Sequence, residues 1–377
     1  MYRAALVVGA LALPVATIAG CDQFGDVVTA GDASDDGVPG VDGSVGIDSS
    51  ASAPDATTDG PADATSDGAG GDSSSCEVTC TAVPPSTASC STGSCLLTLA
   101  SGRAHPSALA VDATHVYWLD VGEAFASNGM VLSVPIGGGV PSTLATGLQN
   151  PSGIAVDDTS VYWTDDFIPG FVMKVALDGG APVTLVSGID DPAGIVVGGG
   201  TVYFAYLGTV AAIAVDGGTP ITLASGLDNP MRIALSGAQV LVSESDDPGA
   251  VAAVPLDGGP TVVLASPLTD PTGLAVDPSR VYFAESENPG ALLSVALDGG
   301  PVATLVSGRA PLDVAVDDTG IYFTGSDDAG LVGRVSLDGG TQVALVRNQN
   351  GPAGLAVDAI NVYWTTAFDG TVMLTPK

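Results

Sequence analysis

Residues 151–191 read PSGIAVDDTSVYWTDDFIPGFVMKVALDGGAPVTLVSGIDD, and every element of this stretch recurs along the rest of the chain. It opens with a Pro and an apolar run that ends in Asp, continues through VYW, and closes with an LDGG turn and a TLxSG run. Short apolar runs separated by Gly- and Asp-rich turns are typical of closely spaced β-strands. The stretch therefore predicts a unit of four strands, which we call A, B, C and D.

Copies of this unit fill the chain from residue 106 onward. Successive copies start about 40 residues apart, a period that belongs to β-propeller blades. Each copy begins at a Pro: Pro106, Pro151, Pro192, Pro230, Pro271, Pro311 and Pro352. The 51 glycines and the 46% of hydrophobic residues suit short strands joined by tight turns. We therefore predict an all-β fold, a seven-bladed β-propeller of four-stranded blades over residues 96–377.

The strand count predicts how the ring closes. The last unit ends at Lys377, after its third strand, and lacks a strand D. Residues 96–102, LLTLASG, match a strand D that has no A, B or C before it. We expect this segment to complete the last blade, because the pairing removes exposed strand edges.

The repeated turn and strand residues are predicted to be structural. The Asp after strand A, such as Asp157, can accept hydrogen bonds within the short A–B turn. The glycines of LDGG permit the positive φ angles of a C–D hairpin. The aromatic pair of strand B, Tyr162 and Trp163, is bulky enough to pack between adjacent blades.

Residues 162–165 are the tetrapeptide YWTD. With GIAVD before it and LDGG after it, the unit resembles the YWTD propeller repeats of the low-density lipoprotein receptor family, and more loosely the NHL repeats. The resemblance covers about residues 96–377 and implies a propeller scaffold that binds other molecules. That family typically has six blades followed by growth-factor-like cysteine modules, whereas this chain has seven units and its cysteine cluster comes first.

Residues 1–20 have the pattern of an export signal, with Arg3 followed by an apolar run too short for a comfortable membrane span. The sequence IAGC at residues 18–21 resembles a bacterial lipobox, which implies that Cys21 is lipidated and becomes the first mature residue. An ordinary signal peptide and a short membrane anchor are the alternatives. We expect an exported protein that is attached to the bacterial cell envelope by a lipid anchor. It would be either periplasmic or exposed on the surface.

Residues 22–75 are rich in Asp, Ser, Gly and Ala and contain no Lys or Arg. We expect them to form a disordered acidic linker rather than calcium-binding loops. The whole chain has a formal net charge of −33, which repels nucleic acid phosphates and anionic lipid head groups. Cations and basic molecules are the charge-complementary partners, although an exported protein can carry such charge for solubility alone.

Four cysteines lie between residues 76 and 95, namely Cys76, Cys80, Cys90 and Cys95. An even number in an exported chain predicts two disulfides, with three connectivities open. Zinc is the alternative, but the usual C-x2-C spacing is absent and no His lies among the four.

In a propeller the B–C and D–A connections lie on one face, and the A–B and C–D turns lie on the other. The first face is predicted to carry an acidic rim, which we take as the candidate ligand surface: Asp120, Glu123, Asp165, Asp166, Glu244, Asp246, Asp247, Glu285, Glu287, Asp327 and Asp328. We expect a monomer that binds a protein or carbohydrate ligand of the cell envelope there. The ligand is basic or bridged by Ca²⁺, no other cofactor is identified, and the membrane is touched only by the lipid anchor.

Two further hypotheses stay open. One is an enzyme resembling propeller lactonases or streptogramin-type lyases, with a metal near the ring axis. The other is an envelope protein without a dedicated ligand. The two histidines are expected on opposite faces, His105 on the loop side and His115 in an A–B turn, and the sequence offers no Ser-His-Asp set or opposed carboxylate pair. Binding is therefore favoured over catalysis.

Overall fold

The structure, a computed structural model, describes residues 88–91, 94–123, 126–287, 289–326 and 330–377. Every regular element in these ranges is a β-strand, and the strands form six four-stranded sheets and one five-stranded sheet. Among the described residues, none forms a helix of the length and apolarity needed to cross a bilayer. The all-β, seven-bladed prediction is confirmed.

The strands follow the chain blade by blade. Two strands come first: β1 (Ala88–Ser91) and β2 (Ser94–Ala100). Blade 1 has β3 (Pro106–Val111), β4 (His115–Asp120), β5 (Gly129–Pro135) and β6 (Ser142–Leu148). Blade 2 has β7 (Pro151–Val156), β8 (Ser160–Asp165), β9 (Gly170–Ala176) and β10 (Val183–Ile189). Blade 3 has β11 (Pro192–Gly198), β12 (Thr201–Tyr206), β13 (Thr209–Ala214) and β14 (Ile221–Ser225).

The remaining blades repeat this order. Blade 4 has β15 (Pro230–Ser236), β16 (Gln239–Glu244), β17 (Gly249–Pro255) and β18 (Val262–Leu268). Blade 5 has β19 (Pro271–Val276), β20 (Arg280–Glu285), β21 (Ala291–Ala296) and β22 (Ala303–Ser307). Blade 6 has β23 (Pro311–Val316), β24 (Ile321–Gly325), β25 (Leu331–Val335) and β26 (Val343–Val346). Blade 7 has β27 (Pro352–Val357), β28 (Asn361–Thr366) and β29 (Thr371–Pro376), and β2 is its strand D.

The ring closes through β2, as expected. This strand pairs antiparallel with β29, with Leu97 opposite Leu374. The predicted bounds, residues 96–102, are wrong by two residues at each end. The strand starts earlier because it also pairs with β1, and it ends earlier because Gly102 adopts a φ of 68° and turns the chain into the next loop. Strand β1, which covers the outer edge of β2, was not predicted from the sequence.

Strands A surround the axis, since each contacts strand A of both neighbouring blades. In blade 2 the pairing of A with B shifts between Pro151 and Ile154, which is a β-bulge. A Cβ on Gly153, inside this bulge, would lie 2.6 Å from the carbonyl oxygen of Ala193 in blade 3. The glycine therefore allows the two inner strands to approach closely.

A threonine of strand B satisfies the backbone at this bulge. The hydroxyl of Thr164 accepts a hydrogen bond from the Gly153 amide at 2.8 Å and donates to the Ala193 carbonyl at 2.7 Å. Equivalent bonds run from Thr324 to the Ala353 carbonyl of blade 7, and from Thr365 to the Ser107 carbonyl of blade 1. One hydroxyl thus joins the inner strands of two blades. It also supplies a hydrogen-bond acceptor for the buried Gly153 amide, which the bulge leaves without a partner on strand B.

Seven apolar cores lie between neighbouring blades. Each contains the residue at the Tyr position of one strand B and the residue at the Trp position of the next. The pairs are Tyr363 with Trp118, Tyr117 with Trp163, Tyr162 with Phe204, Tyr203 with Val242, Leu241 with Phe283, Tyr282 with Phe323, and Tyr322 with Trp364. The predicted packing of these side chains between blades is confirmed.

The Asp after strand A closes the A–B turn and also binds the Tyr of strand B. One oxygen of Asp157 accepts hydrogen bonds from the amides of Thr159 and Ser160, at 2.8 and 2.9 Å, and the other accepts the Tyr162 hydroxyl at 2.9 Å. Burial alone would raise the pKa of Asp157, but these bonds hold it below its ordinary value. Burial and the neighbouring carboxylate raise the pKa of Tyr162. The same clasp occurs in blades 1, 5 and 7.

Blade 6 departs from this arrangement, because Lys377 takes the place of the tyrosine. Its ammonium group pairs with the Asp317 carboxylate and also donates to the Asp358 carbonyl of blade 7. The Tyr322 hydroxyl instead pairs with Thr319, at 2.8 Å. The last residue of the chain thus ties blade 6 to blade 7 on the A–B turn side.

Closure by β2 can be tested by deletion and by substitution. We expect removal of residues 94–100 to abolish cooperative thermal unfolding, since it exposes the edge of β29 and opens the core that contains Leu97 and Leu99. Leu97→Ala should cost about 2–5 kcal/mol of unfolding free energy. Val183→Ala, at an exposed site on another strand D, is the control and should change it by less than about 0.5 kcal/mol. A deletion that melts as the wild type does would contradict this closure.

The clasp predicts a pH-dependent loss of stability in Tyr162→Phe. At pH 7 the substitution should cost about 1 kcal/mol, because the Asp157 carboxylate loses one hydrogen bond. The Asp157 pKa is lowered, so the benefit is present above the ordinary pKa near 4 and fades as pH falls through the folded value. The Tyr162 pKa is raised, so the benefit also fades as pH rises above about 10.

Denaturant unfolding at pH 3, 7 and 11 measures this difference between Tyr162→Phe and the wild type. Tyr203→Phe is the matched control, because glycines fill residues 198–200 and leave blade 3 without the Asp that five other blades have at this turn. If both variants lose equal stability with no pH dependence, the clasp does not contribute as described.

Candidate binding surface

One face of the propeller carries the D–A and B–C loops, next to the Pro at the start of each strand A; we call it the loop face. In six blades the B–C loop is bonded to the D–A loop that enters the same blade, as when the Asp166 amide donates to the Asn150 carbonyl at 2.9 Å, whereas in blade 3 the Gly208 carbonyl accepts the Leu227 amide of the loop that leaves the blade. The described candidate residues all lie at this face, whereas Asp327 and Asp328 fall outside the described residues. Because the loops are short and hydrogen-bonded to one another, their backbone holds the exposed side chains in defined positions.

Four of the predicted acids are used to hold the D–A loops. Asp120 accepts hydrogen bonds from the amides of Ala104, His105 and Gly122, at 3.0–3.2 Å. Asp165 accepts from the Gln149 and Asn150 amides, the latter at 2.7 Å. Glu244 and Glu285 accept single amide bonds, from Asp228 and Thr269, each at 2.8 Å. These strand-end carboxylates therefore position the loops on which the other acids stand.

The other acids concentrate in blades 2 to 5. We define the acidic sector as the loops of these blades: residues 149–150, 166–169, 190–191, 207–208, 226–229, 245–248, 269–270, 286–287 and 289–290. These loops contain no Lys or Arg. Their carboxylates are Asp166, Asp190, Asp191, Asp228, Asp246, Asp247, Asp270 and Glu287. The predicted residue Glu123 is also exposed on the loop face but lies in blade 1, outside this sector.

Electrostatic repulsion between carboxylates of the sector acts on Asp166. Burial raises the pKa of its carboxyl, and the charges of Asp191 and Asp165 raise it further, although the Asn150 amide opposes them. The B–C loop of blade 2 and the D–A loop that enters blade 3 thus bring two carboxylates close together. A cation placed between them would relieve the repulsion.

The rest of the loop face contains basic as well as acidic residues. The D–A loops that enter blades 1, 6 and 7 contain Arg103, Arg309 and Arg347. These arginines offset part of the negative charge of acids such as Glu123 and Asp369 there, whereas no Lys or Arg lies among the carboxylates of the acidic sector. The acidic rim could be predicted from the sequence, but this uneven distribution of arginine around the ring was not predicted.

Exposed apolar side chains lie in the acidic sector. Phe167 is 47% exposed and Ile168 is 80% exposed in the B–C loop of blade 2, and Leu207 is 63% exposed in that of blade 3. Met231, the second residue of β15 in blade 4, is 39% exposed beside them. Carboxylates interleaved with exposed apolar groups are typical of interaction surfaces rather than of solubilising ones.

Two charges stand on the inner strands, at positions that glycine holds in most blades. Arg232 lies on β15 and Asp313 on β23, with blade 5 between them. Burial raises the pKa of Asp313, and the Arg232 charge and the amides of Leu355 and Val314 oppose the rise. Asp313 also joins two blades, since it accepts the Leu355 amide at 2.9 Å. We interpret Arg232 and Asp313 as opposite charges that offset each other near the propeller axis.

A cavity of about 280 Å³ lies between blades 1 and 2, next to the acidic sector. Its apolar wall consists of Leu148, Trp163, Phe171, Met173 and Pro182. Gln149 and Asp165 line its polar part, and Thr146 and Thr184 are exposed at its wall. This cavity could not be predicted from the sequence, because a space between two blades leaves no mark in a repeat pattern.

The histidines lie at opposite ends of strand β3, as expected. His105 is exposed on the loop face, and the ring of His115 contacts the Thr114 hydroxyl at 2.8 Å on the other face. In the described ranges no three or more His, Cys, Asp or Glu side chains gather as metal ligands would. The two histidines are therefore not parts of one site.

The predicted lipidation and disulfide sites are described only in part. Cys21, Cys76 and Cys80 lie outside the described residues, and Cys90 is described only as part of β1. Cys95, on β2, is disulfide-bonded. The two-disulfide framework and its connectivity stay predictions.

Comparison with known proteins shows the fold. No protein-family model matches the chain, and no curated protein matches its sequence. Among solved structures, a catalytically inactive virginiamycin B lyase from Staphylococcus aureus aligns with a TM-score of 0.62 and 15% identity, over 75% of this chain and 98% of that one. The WD40 repeats of RRP9 align with a TM-score of 0.61 and 10% identity, over 74% of this chain and 97% of that one.

A structure of a nidogen/laminin complex aligns at 21% identity with a TM-score of 0.48, over 60% of this chain and 90% of that one. At such identities a likeness between structures shows the fold alone. The chain is a seven-bladed β-propeller.

Proposed function

We propose that this chain is an exported, lipid-anchored protein of the cell envelope whose propeller binds a positively charged ligand through the acidic sector. The ligand is a protein or a carbohydrate of the envelope. The lipobox-like IAGC sequence supports the anchor, and the acidic residues 22–75 supply a linker between lipid and propeller.

One observation carries the binding proposal. The loops of blades 2 to 5 combine eight carboxylates with three exposed apolar side chains and contain no Lys or Arg to neutralise them. Charge kept for solubility alone would not need the exposed apolar side chains of Phe167, Ile168 and Leu207 at the same place. A basic ligand gains from both, because charge steers its approach and apolar contact slows its release.

Direct contact with a basic ligand is favoured over a Ca²⁺ bridge. Calcium sites take six to eight oxygen ligands, and the described acids do not gather into a group of even three. The strand-end acids Asp120, Asp165, Glu244 and Glu285 are already bonded to loop amides. A bridging Ca²⁺ stays a prediction from the sequence.

The binding proposal is tested by neutralising the sector. We expect Asp190→Asn, Asp191→Asn, Asp246→Asn and Asp247→Asn together to weaken binding of a pentalysine peptide at least about fourfold at low salt, since exposed charge pairs each contribute about 0.2–1 kcal/mol. Isothermal titration calorimetry measures the affinity, and added salt should weaken wild-type binding.

The matched control removes the same net charge from the opposite face, through Asp178→Asn, Asp216→Asn, Asp298→Asn and Asp338→Asn in the exposed C–D turns. This variant should keep nearly wild-type affinity. Equal weakening by both sets would mean that overall charge, not the sector, attracts the peptide, and the proposal would then fail.

The anchor is tested at Cys21. Labelled palmitate should attach to the wild-type protein, and Cys21→Ala should move the protein from the membrane to the soluble fraction, because its acyl chains are lost. Cys95→Ala is the control for loss of a cysteine and should leave labelling intact. If the wild type takes up no label, the lipoprotein proposal is wrong.

A further inference from the structure

The cavity between blades 1 and 2 and the acidic sector share the same loop. Asp165, the last residue of β8, and Phe171, on β9, both line the cavity. These residues flank the B–C loop that carries Asp166 and the exposed Phe167 and Ile168. A molecule seated on blade 2 of the sector therefore lies close to residues that line the cavity.

The size of the cavity suits one side chain. Its 280 Å³ equals the share of about nine water molecules at roughly 30 Å³ each. This is slightly below the roughly 300–1,000 Å³ of pockets that enclose drug-sized ligands. One long side chain from a docked polypeptide would occupy it, as anchor residues do at protein interfaces.

The lining indicates which side chain fits. Leu148, Trp163, Phe171, Met173 and Pro182 form an apolar wall suited to a chain of methylenes. Asp165 stands at the polar part with Gln149. A long stem with a charged head is the chemistry of Lys and Arg, which bury their methylenes and keep the cation beside an acceptor.

Asp165 retains capacity to accept a further hydrogen bond. Its Oδ1 accepts from the Gln149 and Asn150 amides, whereas its Oδ2 has only the Gln149 amide at 3.2 Å. An ionised carboxylate offers about four lone-pair sites. The next residue, Asp166, adds a second carboxylate in the adjoining B–C loop.

We infer that the cavity between blades 1 and 2 receives the side chain of a Lys or Arg from a polypeptide docked on the acidic sector, with its methylenes against Trp163 and Met173 and its cation toward Asp165. This inference rests on the proposed function and narrows the ligand to a basic polypeptide. It places the anchoring contact at the interface between blades 1 and 2.

Peptides that differ only in stem length test the inference on the full-length protein. One probe alternates five Lys with Gly, and the second replaces each Lys with 2,4-diaminobutyrate, which keeps the charge and removes two methylenes. At pH 6 and low salt, the wild type should bind the Lys peptide about tenfold more tightly, the value expected for burying two methylenes. A third peptide with norleucine for Lys keeps the stem and removes the charge.

The variant Thr184→Trp narrows the cavity from its exposed wall. It should remove the preference for the Lys peptide and leave affinity for the diaminobutyrate peptide unchanged. Thr222→Trp is the matched control, because Thr222 is an exposed residue at the same place in the TLxSG run of blade 3. This variant should keep the tenfold preference.

The other possible results distinguish failure of the cavity inference from failure of the proposed function. Equal wild-type affinity for the Lys and diaminobutyrate peptides, or a preference that survives Thr184→Trp, overturns the cavity inference while sector binding stands. Binding of the norleucine peptide as tight as that of the Lys peptide indicates an apolar occupant and also overturns it. If neither basic peptide binds, both the inference and the proposed function fail.

Discussion

Every blade must bury one face against each of its two neighbours, and the four residues of the YWTD sequence show how strand B meets this constraint. Tyr162 packs toward blade 3 and bonds to the turn residue Asp157. Trp163 packs against blade 1. Thr164 bonds the bulged inner strand to blade 3, and Asp165 holds the loop that enters its own blade. Each side chain contacts a different part of the ring.

This division of roles moves function away from the repeat. Residues that recur in most blades, such as the turn Asp and the strand-B aromatics, are committed to packing and hydrogen bonds within the fold. The loops are held at their ends by backbone and carboxylate bonds but vary between, so blades 2 to 5 can carry Asp and apolar groups while the loops entering blades 1, 6 and 7 carry Arg. A fixed ring with variable loops allows the surface to change without cost to the core.

Most of the fold could be predicted from the sequence, because each blade repeats the same chemical needs. The Pro that starts strand A, the LDGG hairpin and the unpaired strand D near residue 100 define the blade number and its closure. The bounds of β2 and the existence of β1 could not be predicted, since the segment ASCS has no apolar alternation and its pairing depends on a neighbour. Local patterns do not contain that contact.

The candidate surface could be predicted only in outline. The acidic loops are visible in sequence, but Asp165 and Asp120 look identical to exposed acids until the loop amides that they bind are in place. The cavity beside Trp163 depends on how two blades meet, and the continuous sector without Lys or Arg depends on the ring order of the loops. These are properties of packing between units, so no single unit contains them.

Hydrogen exchange of backbone amides, measured by mass spectrometry with and without the alternating Lys peptide, tests the central claim most directly. The account predicts added protection in residues 149–150, 166–169 and 190–191 of the acidic sector and no change in the C–D turns of the opposite face. Protection confined to the opposite face, or to the loops that contain Arg103, Arg309 and Arg347, would contradict it.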